Sequence, residues 1–359
     1  MTDKELKQII VNIKGADKKA MAEAKAYADS LAAPPGSLGK LTDTAVRLSG
    51  ITGKLKNSMD YERIVVLCAD NGVIEENVSS APKSVTISQA INMTKHLTGM
   101  SALANYFGCD VEVVDMGIDA DYNCLEIEDR RIRKGTGNIV KEPAMTREEA
   151  LTAIATGISL AEKAAEDDVD IIGVGEMGIG NTTTSSAVLA ALTGYGAEEV
   201  TGRGGGITDE SFAKKKAVIT AALKKHAPDP NDPVDVLSKV GGLDIAAMCG
   251  VYLGAAKVRI PVVIDGFISI VAALSAVRLC PAVRDFIFPS HVSEERGYLI
   301  AAKELELDPW LNLSMRLGEG SGCPLAFQVV EAACALMSDM ATFEKAAIND
   351  DYLTEIRKL

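Results

Sequence analysis

Aromatic residues make up only 4% of this chain of 359 residues, and histidine occurs three times. With so few rings, the core must be packed from Ala, Val, Ile, Leu and Met, in a chain that is 47% hydrophobic. His96, His226 and His291 have no metal-ligand spacing to one another or to a cysteine, and the seven cysteines form no CxxC pair. No zinc site is expected, and the thiols read as reduced and mostly buried. There is no basic tract and the net charge is −13, which argues against duplex nucleic acid and anionic membranes as partners, because neither phosphate field would be neutralised. The most continuous apolar stretch, Gly266 to Val277, is shorter than the roughly 20 residues a bilayer requires and reads as a buried helix. Met1 to Ala22 is charged throughout, without an apolar core or a small-residue cleavage site, so a cytoplasmic protein is expected.

Short β-branched runs alternate with longer helical patterns. Ile64 to Leu67, Val111 to Val114, Val169 to Val174, Val262 to Ile264 and Phe286 to Phe288 are the strand candidates. That order predicts an α/β fold with a mostly parallel sheet and helices on both faces, and it places ligand groups at the C-terminal ends of the strands. The strand exits are polar: Asp70-Asn71-Gly72-Val73, Asp115-Met116-Gly117, Glu176, Asp265-Gly266 and Ser290-His291. They point to one shared crevice. The chain ends read as helices without strands, which predicts a large domain over 34–327 and a small helical domain from 1–33 and 328–359.

The segment Val174 to Thr184 carries the strongest chemical signal. Three glycines in six positions let backbone approach a ligand, and Asn181 or Thr182 is placed to cap the following helix, whose amides favour an anion. Glu176 sits among them. A carboxylate is costly beside a phosphate, so it is expected to face a neutral or cationic part of the ligand. A second loop, Gly202-Arg203-Gly204-Gly205-Gly206, precedes Lys214-Lys215-Lys216 on a helix and suits a phosphate cradle, although three lysines in a row equally suit a solvated face. In Arg316 to Gly322, Glu319 is bracketed by glycines, either as a surface charge or as a carboxylate against which a ligand presses. Asp265 suits a ribose contact or a helix cap, and His291 a ligand contact or a structural hydrogen bond.

Taken together, Pro34 to Lys40, Ala69 to Val73, Pro143 to Thr146, Gly175 to Thr183, Gly202 to Gly206, Asp265 to Phe267 and Arg316 to Gly322 resemble the nicotinate-nucleotide:dimethylbenzimidazole phosphoribosyltransferase family. The resemblance runs in order over nearly the whole chain, and the combination of GEMGIGNT with RLGEG is its most specific part. It implies a Rossmann-like domain, a homodimer and transfer of phosphoribose from nicotinate mononucleotide to an aromatic base, with inversion at the anomeric carbon. Glu319 matches the catalytic base and Glu176 a second important carboxylate. Lys215 matches a phosphate contact, together with backbone around Gly178 and Gly205; Asn181, Thr182, Asp265 and Ser290 are expected to bind substrate beside them. No cofactor or metal is implied, because the pyridinium of the donor is already a good leaving group.

At Asn71 the family usually has histidine, and Ser80, Ser84, Ser88 and Gln89 follow on a stretch that lines the base pocket in the family. The expected acceptors are therefore benzimidazoles, purines or phenols, and some phenol-activating relatives pair with a similar subunit. Two other classes compete. A dinucleotide oxidoreductase needs G-x-G-x-x-G at the first strand-to-helix turn, where this chain has Ala69-Asp70-Asn71-Gly72; the letters match only at Gly173 to Gly178. A non-catalytic regulatory module would keep the glycine loops and tolerate loss of Glu319. The presence of both glutamates favours an enzyme.

Overall fold

Six strands form one parallel sheet in the order β3-β2-β1-β4-β5-β6, with β1 at Glu62–Ala69, β2 at Asp110–Gly117, β3 at Ile127–Asp129, β4 at Ile171–Met177, β5 at Val262–Ile264 and β6 at Ile287–Pro289. The computed structural model describes residues 1–353. The order reverses between β1 and β4, and in such doubly wound sheets the crevice at that switch point is where ligands bind. β1, β4 and β5 are buried almost throughout, as parallel strands covered by helices on both faces must be. The long helices Arg147–Glu166 and Leu243–Val258 approach closely on one face, because Gly157 and Gly250 each leave space that backbone of the other helix fills.

Two strand boundaries differ from expectation. β3 pairs through only three residues at the sheet edge, and Ile127 is its one apolar side chain, too short a signal to read. β4 begins at Ile171 and runs on through Glu176 to Met177, so Glu176 ends a central strand and is not in a loop. Gly173 and Gly175 explain how a strand of this composition stays central. A side chain at Gly173 would meet Cys323 and Phe327, and one at Gly175 would run into the Glu319 carbonyl. The helix Cys323–Asp339 and the turn before it thus lie directly on β4.

A second, smaller core joins Ala24, Leu31, Ala45, Ala333 and Met337, from helices Lys18–Ser30, Lys40–Thr52 and Cys323–Asp339. Leu31 also pairs with Thr342 in a single antiparallel bridge. Helix Asp3–Asn12 lies elsewhere, because its Leu6 and the following Ile13 belong to the main core. Helix Lys40–Thr52, inside the segment read as large domain, supplies Ala45 to the small cluster. The last residues of the small helical segment, 354–359, lie outside the described residues.

Candidate active site

The turn at Glu319 has three consecutive residues in the left-handed region, Gly318, Glu319 and Gly320, with φ of 86°, 66° and 97°. A glutamate in that region carries strain, on the order of 1–3 kcal/mol, that surrounding bonds must offset. They do so with carboxylates. Glu319 N donates to Glu176 Oε1 at 3.2 Å, Gly320 N to Asp265 Oδ2 at 3.0 Å and Gly322 N to Asp265 Oδ1 at 2.7 Å. Its side chain, in a residue only 5% exposed, is held apart from them: Gln89 Nε2 donates to Oε1 at 3.3 Å, and Met100 N, in the first turn of helix Gly99–Phe107, donates to Oε2 at 3.4 Å.

Glu176 is 6% exposed and accepts a hydrogen bond from Asn181 Nδ2 as well as from Glu319 N. Burial pushes its pKa up to about 8, and the nearby Asp244 carboxylate adds to the rise. Asp265 is raised to about 7 and Asp244 to about 6, again mainly by burial. Asn181 Nδ2 also reaches Asp244 Oδ2 at 2.9 Å, so one amide ties two carboxyls together. It therefore does not cap its helix: the N-cap of Asn181–Thr193 is Gly180 in a left-handed conformation, without a side-chain cap. The glycines here make room for protein as well. A side chain on Gly178 would meet the Ala69 carbonyl and Asp244.

Asp244 carried no signal on reading the sequence. The double glycine at Gly241-Gly242, just before helix Leu243–Val258, was the available clue, since a side chain at either would strike Leu237 or Asp244.

A cleft of about 210 Å³ opens at the end of β4. Ser80, Gln89, Glu176, Gly178, Asn181, Thr182, Gly205 and Glu319 all line it. Behind Thr182 lies Lys215, 1% exposed, with Nζ 2.8 Å from Thr182 Oγ1. Thr182 thus turns towards the lysine and does not cap the helix. Among the described residues no carboxylate lies within ion-pair distance of Lys215, and burial lowers its pKa to about 8. A buried ammonium without an ion pair is suited to receive an anion. Asp265 faces a smaller adjoining recess with Glu176, Thr182 and Glu295.

Other residues from the sequence reading lie behind or outside this cleft. Ser290 Oγ donates to the Asp265 carbonyl at 2.8 Å and contacts His291 Nδ1 at 3.0 Å, fully buried behind Asp265. His291 is kept neutral by burial, its pKa falling to about 4, which fits the structural role weighed for it. Asn71 is likewise buried, accepting from Thr184 Oγ1 at 3.0 Å and packing under Gly178 and Gly180. Ser84 and Ser88 face solvent, where Ser88 bonds back to the Ser84 carbonyl. The segment Pro34 to Gly39 lines a separate cavity of about 190 Å³ beside the small helical core.

A family model described as phosphoribosyltransferase matches residues 13–348. The nicotinate-nucleotide–dimethylbenzimidazole phosphoribosyltransferase of Clostridium perfringens is 53% identical over 352 residues, 98% of each chain. The enzyme of that name from Clostridium acetobutylicum is 49% identical over 343 residues, 96% of this chain and 97% of its own. The crystal structure of the nicotinate-nucleotide–dimethylbenzimidazole phosphoribosyltransferase from Thermus thermophilus matches with a TM-score of 0.88 and 35% identity, covering 93% of this chain and 99% of that one. With the Rossmann strand order and two glutamates at its switch point already in place, these matches show that the chain belongs to the nicotinate-nucleotide–dimethylbenzimidazole phosphoribosyltransferase family.

Proposed function

We propose that this protein transfers the phosphoribosyl group of nicotinate mononucleotide to a ring nitrogen of an aromatic lower-ligand base, giving an α-ribotide and nicotinate. The observation that carries the reading is that one cleft has Glu176 and Glu319 on its wall and, behind its Thr182, a buried lysine without an ion pair among the described residues. The phosphate belongs at Lys215, Thr182 and the Gly204-Gly205 backbone. With the phosphate there, the ribose lies across Gly178 and Asn181, and its anomeric carbon approaches Glu176.

The acceptor base then enters beside Ser80, Gln89 and Glu319. Attack from the face opposite the departing pyridinium inverts the anomeric carbon. As the attacking ring becomes cationic, Glu319 takes its proton, with Gln89 and Met100 N fixing the carboxylate in place. Glu176 stabilises the positive charge that grows on the ribose as the bond to nicotinate breaks. The enzyme's part is positioning and proton acceptance, so binding energy is used on geometry.

Asn71 bears on base choice only through the Gly178–Gly180 turn that it supports, since its side chain is not on the cleft wall. The acceptor range therefore extends from benzimidazoles to purines and phenols, the last attacking through oxygen. A cytoplasmic homodimer is the assembly that fits this reading, and among the described residues no helix is long and apolar enough to cross a membrane. The test is incubation with nicotinate mononucleotide and a panel of 5,6-dimethylbenzimidazole, adenine and a phenol, following nicotinate release and ribotide formation. Absence of product with every base sinks the proposal.

A further inference from the structure

Glu295 is 8% exposed and lies just before helix Tyr298–Glu304, yet no step above uses it. Its surroundings are unusual for a structural carboxylate. It lines the recess it shares with Glu176 and Asp265, and also a shallow groove with Arg203 and Arg316 on the far side of the 202–206 turn. A side chain at Gly202 would fall far inside contact distance of Oε2, so the first glycine of that turn is there to let the carboxylate in. Oε2 has no hydrogen-bond partner among the described residues. The Gly204 amide, the Lys215 ammonium and the Arg316 guanidinium all act to favour the ionised form, against burial, which raises the pKa.

We infer that Glu295 is a positioning residue for the donor phosphate: it braces the glycine turn from behind and keeps the proton on Lys215, so that the cradle is charged and formed before the donor arrives. The inference rests on the assignment of the phosphate to Lys215 made above. Geometry supports it from both sides. Gly204, with φ of 57°, sits between Thr182 Oγ1 and Lys215 Nζ on the cleft side, while Gly202 and the Gly204 amide meet Glu295 on the other. Two of the neighbouring charges are engaged elsewhere: Arg203 is held by Asp209 and the Ile207 carbonyl, and Lys216 by Glu198. Glu295 is the carboxylate that acts on Lys215, opposing the effect of its burial.

A carboxylate near a phosphate repels it but also sustains the lysine that binds it, and the two effects depend on pH in opposite ways. The experiment compares ribose 5-phosphate affinity by calorimetry for wild type, Glu295→Gln and Lys215→Ala at pH 6.5 and 8.5, with donor KM and kcat alongside. At pH 6.5, where Lys215 is protonated in either protein, Glu295→Gln is expected to bind as well as wild type or better. At pH 8.5 it is expected to bind about tenfold more weakly, with donor KM raised to match and kcat at saturation changed by less than about threefold.

Gly202→Ala, which displaces the carboxylate without removing it, is expected to weaken binding in the same pH-dependent way and serves if the glutamine variant does not fold. A ratio of affinities that stays constant with pH overturns the inference. Unchanged ribose 5-phosphate binding in Lys215→Ala instead overturns the phosphate assignment on which it rests.

Discussion

Glu176→Gln tests whether the central carboxyl is held neutral by its burial. In the folded chain its pKa rises from 4.5 to about 8. Between those values the folded state keeps a proton that the unfolded state has released, so stability is greatest below pH 4.5 and falls as pH rises towards 8. Each pH unit in that window costs about 1.4 kcal/mol for one proton, and the whole window roughly 5 kcal/mol, undiscounted because the group is fully buried. Glutamine carries no such proton. It forfeits one hydrogen bond, because its NH2 must face either Glu319 N or Asn181 Nδ2, a loss of about 1–3 kcal/mol that does not vary with pH.

The difference in unfolding free energy between variant and wild type should therefore shift towards the variant by about 3 kcal/mol from pH 5.5 to 7.5. Urea denaturation of the two proteins in parallel measures it. Asp244 and Asp265 are raised by the same cause and steepen both curves alike, so they cancel in the difference. Parallel curves would refute the reasoning, because they would mean that Glu176 is ionised in the folded protein throughout the range.

Three further substitutions separate the parts of the site. Glu319→Gln keeps the side chain's size but cannot accept the proton and turns its NH2 towards Gln89 Nε2 or Met100 N, so kcat should fall by about 10² to 10⁴ with donor KM little changed, as measured by nicotinate release. Asp265→Asn sets an amide NH2 against Gly320 N or Gly322 N; the loss of one bond, about 1–3 kcal/mol, should lower the melting temperature and reduce kcat by loosening the glutamate turn. Gly175→Ala drives a methyl into the Glu319 carbonyl, and the turn must lift from β4: an overpacking cost of about 1–3 kcal/mol is expected, with a larger loss of kcat than of donor affinity.

Much of this was legible in the chain because the signals were local. β-branched runs mark β1, β2 and β5, and glycines flank both glutamates. The burial of Lys215 is also legible, although a run of three lysines by itself suits a solvated face. Lys215 is in helical phase with Val218, Ile219 and Ala222, all buried, whereas Lys214 is exposed and Lys216 half-buried. What the sequence hid was partnership over distance. The glycines at 175 and 178 read as space for a ligand, yet the atoms they admit belong to Glu319, 144 residues on, and to Ala69 and Asp244. Ser290 and Asn71 stand at strand exits and read as crevice residues, but both are buried behind the site, Ser290 bonded to the Asp265 carbonyl and Asn71 to Thr184.

The carboxylates themselves present an apparent contradiction to phosphate binding, since Glu176 and Glu319 line the cleft, Asp265 and Glu295 the adjoining recess, and Asp244 is buried behind Asn181. Their bonding resolves it. The amides of Glu319, Gly320 and Gly322 form the kind of concave donor set that elsewhere captures an anion, but here Glu176 and Asp265 already occupy it. The protein's own carboxyl oxygens thus fill the donor set of that turn, whatever their protonation. Lys215, without an ion pair among the described residues, lies behind Thr182. In the function proposed above the donor phosphate goes to the lysine and its ribose towards the glutamates. On that proposal the buried carboxyls, costly singly, orient the donor by filling the glutamate turn with the protein's own oxygens.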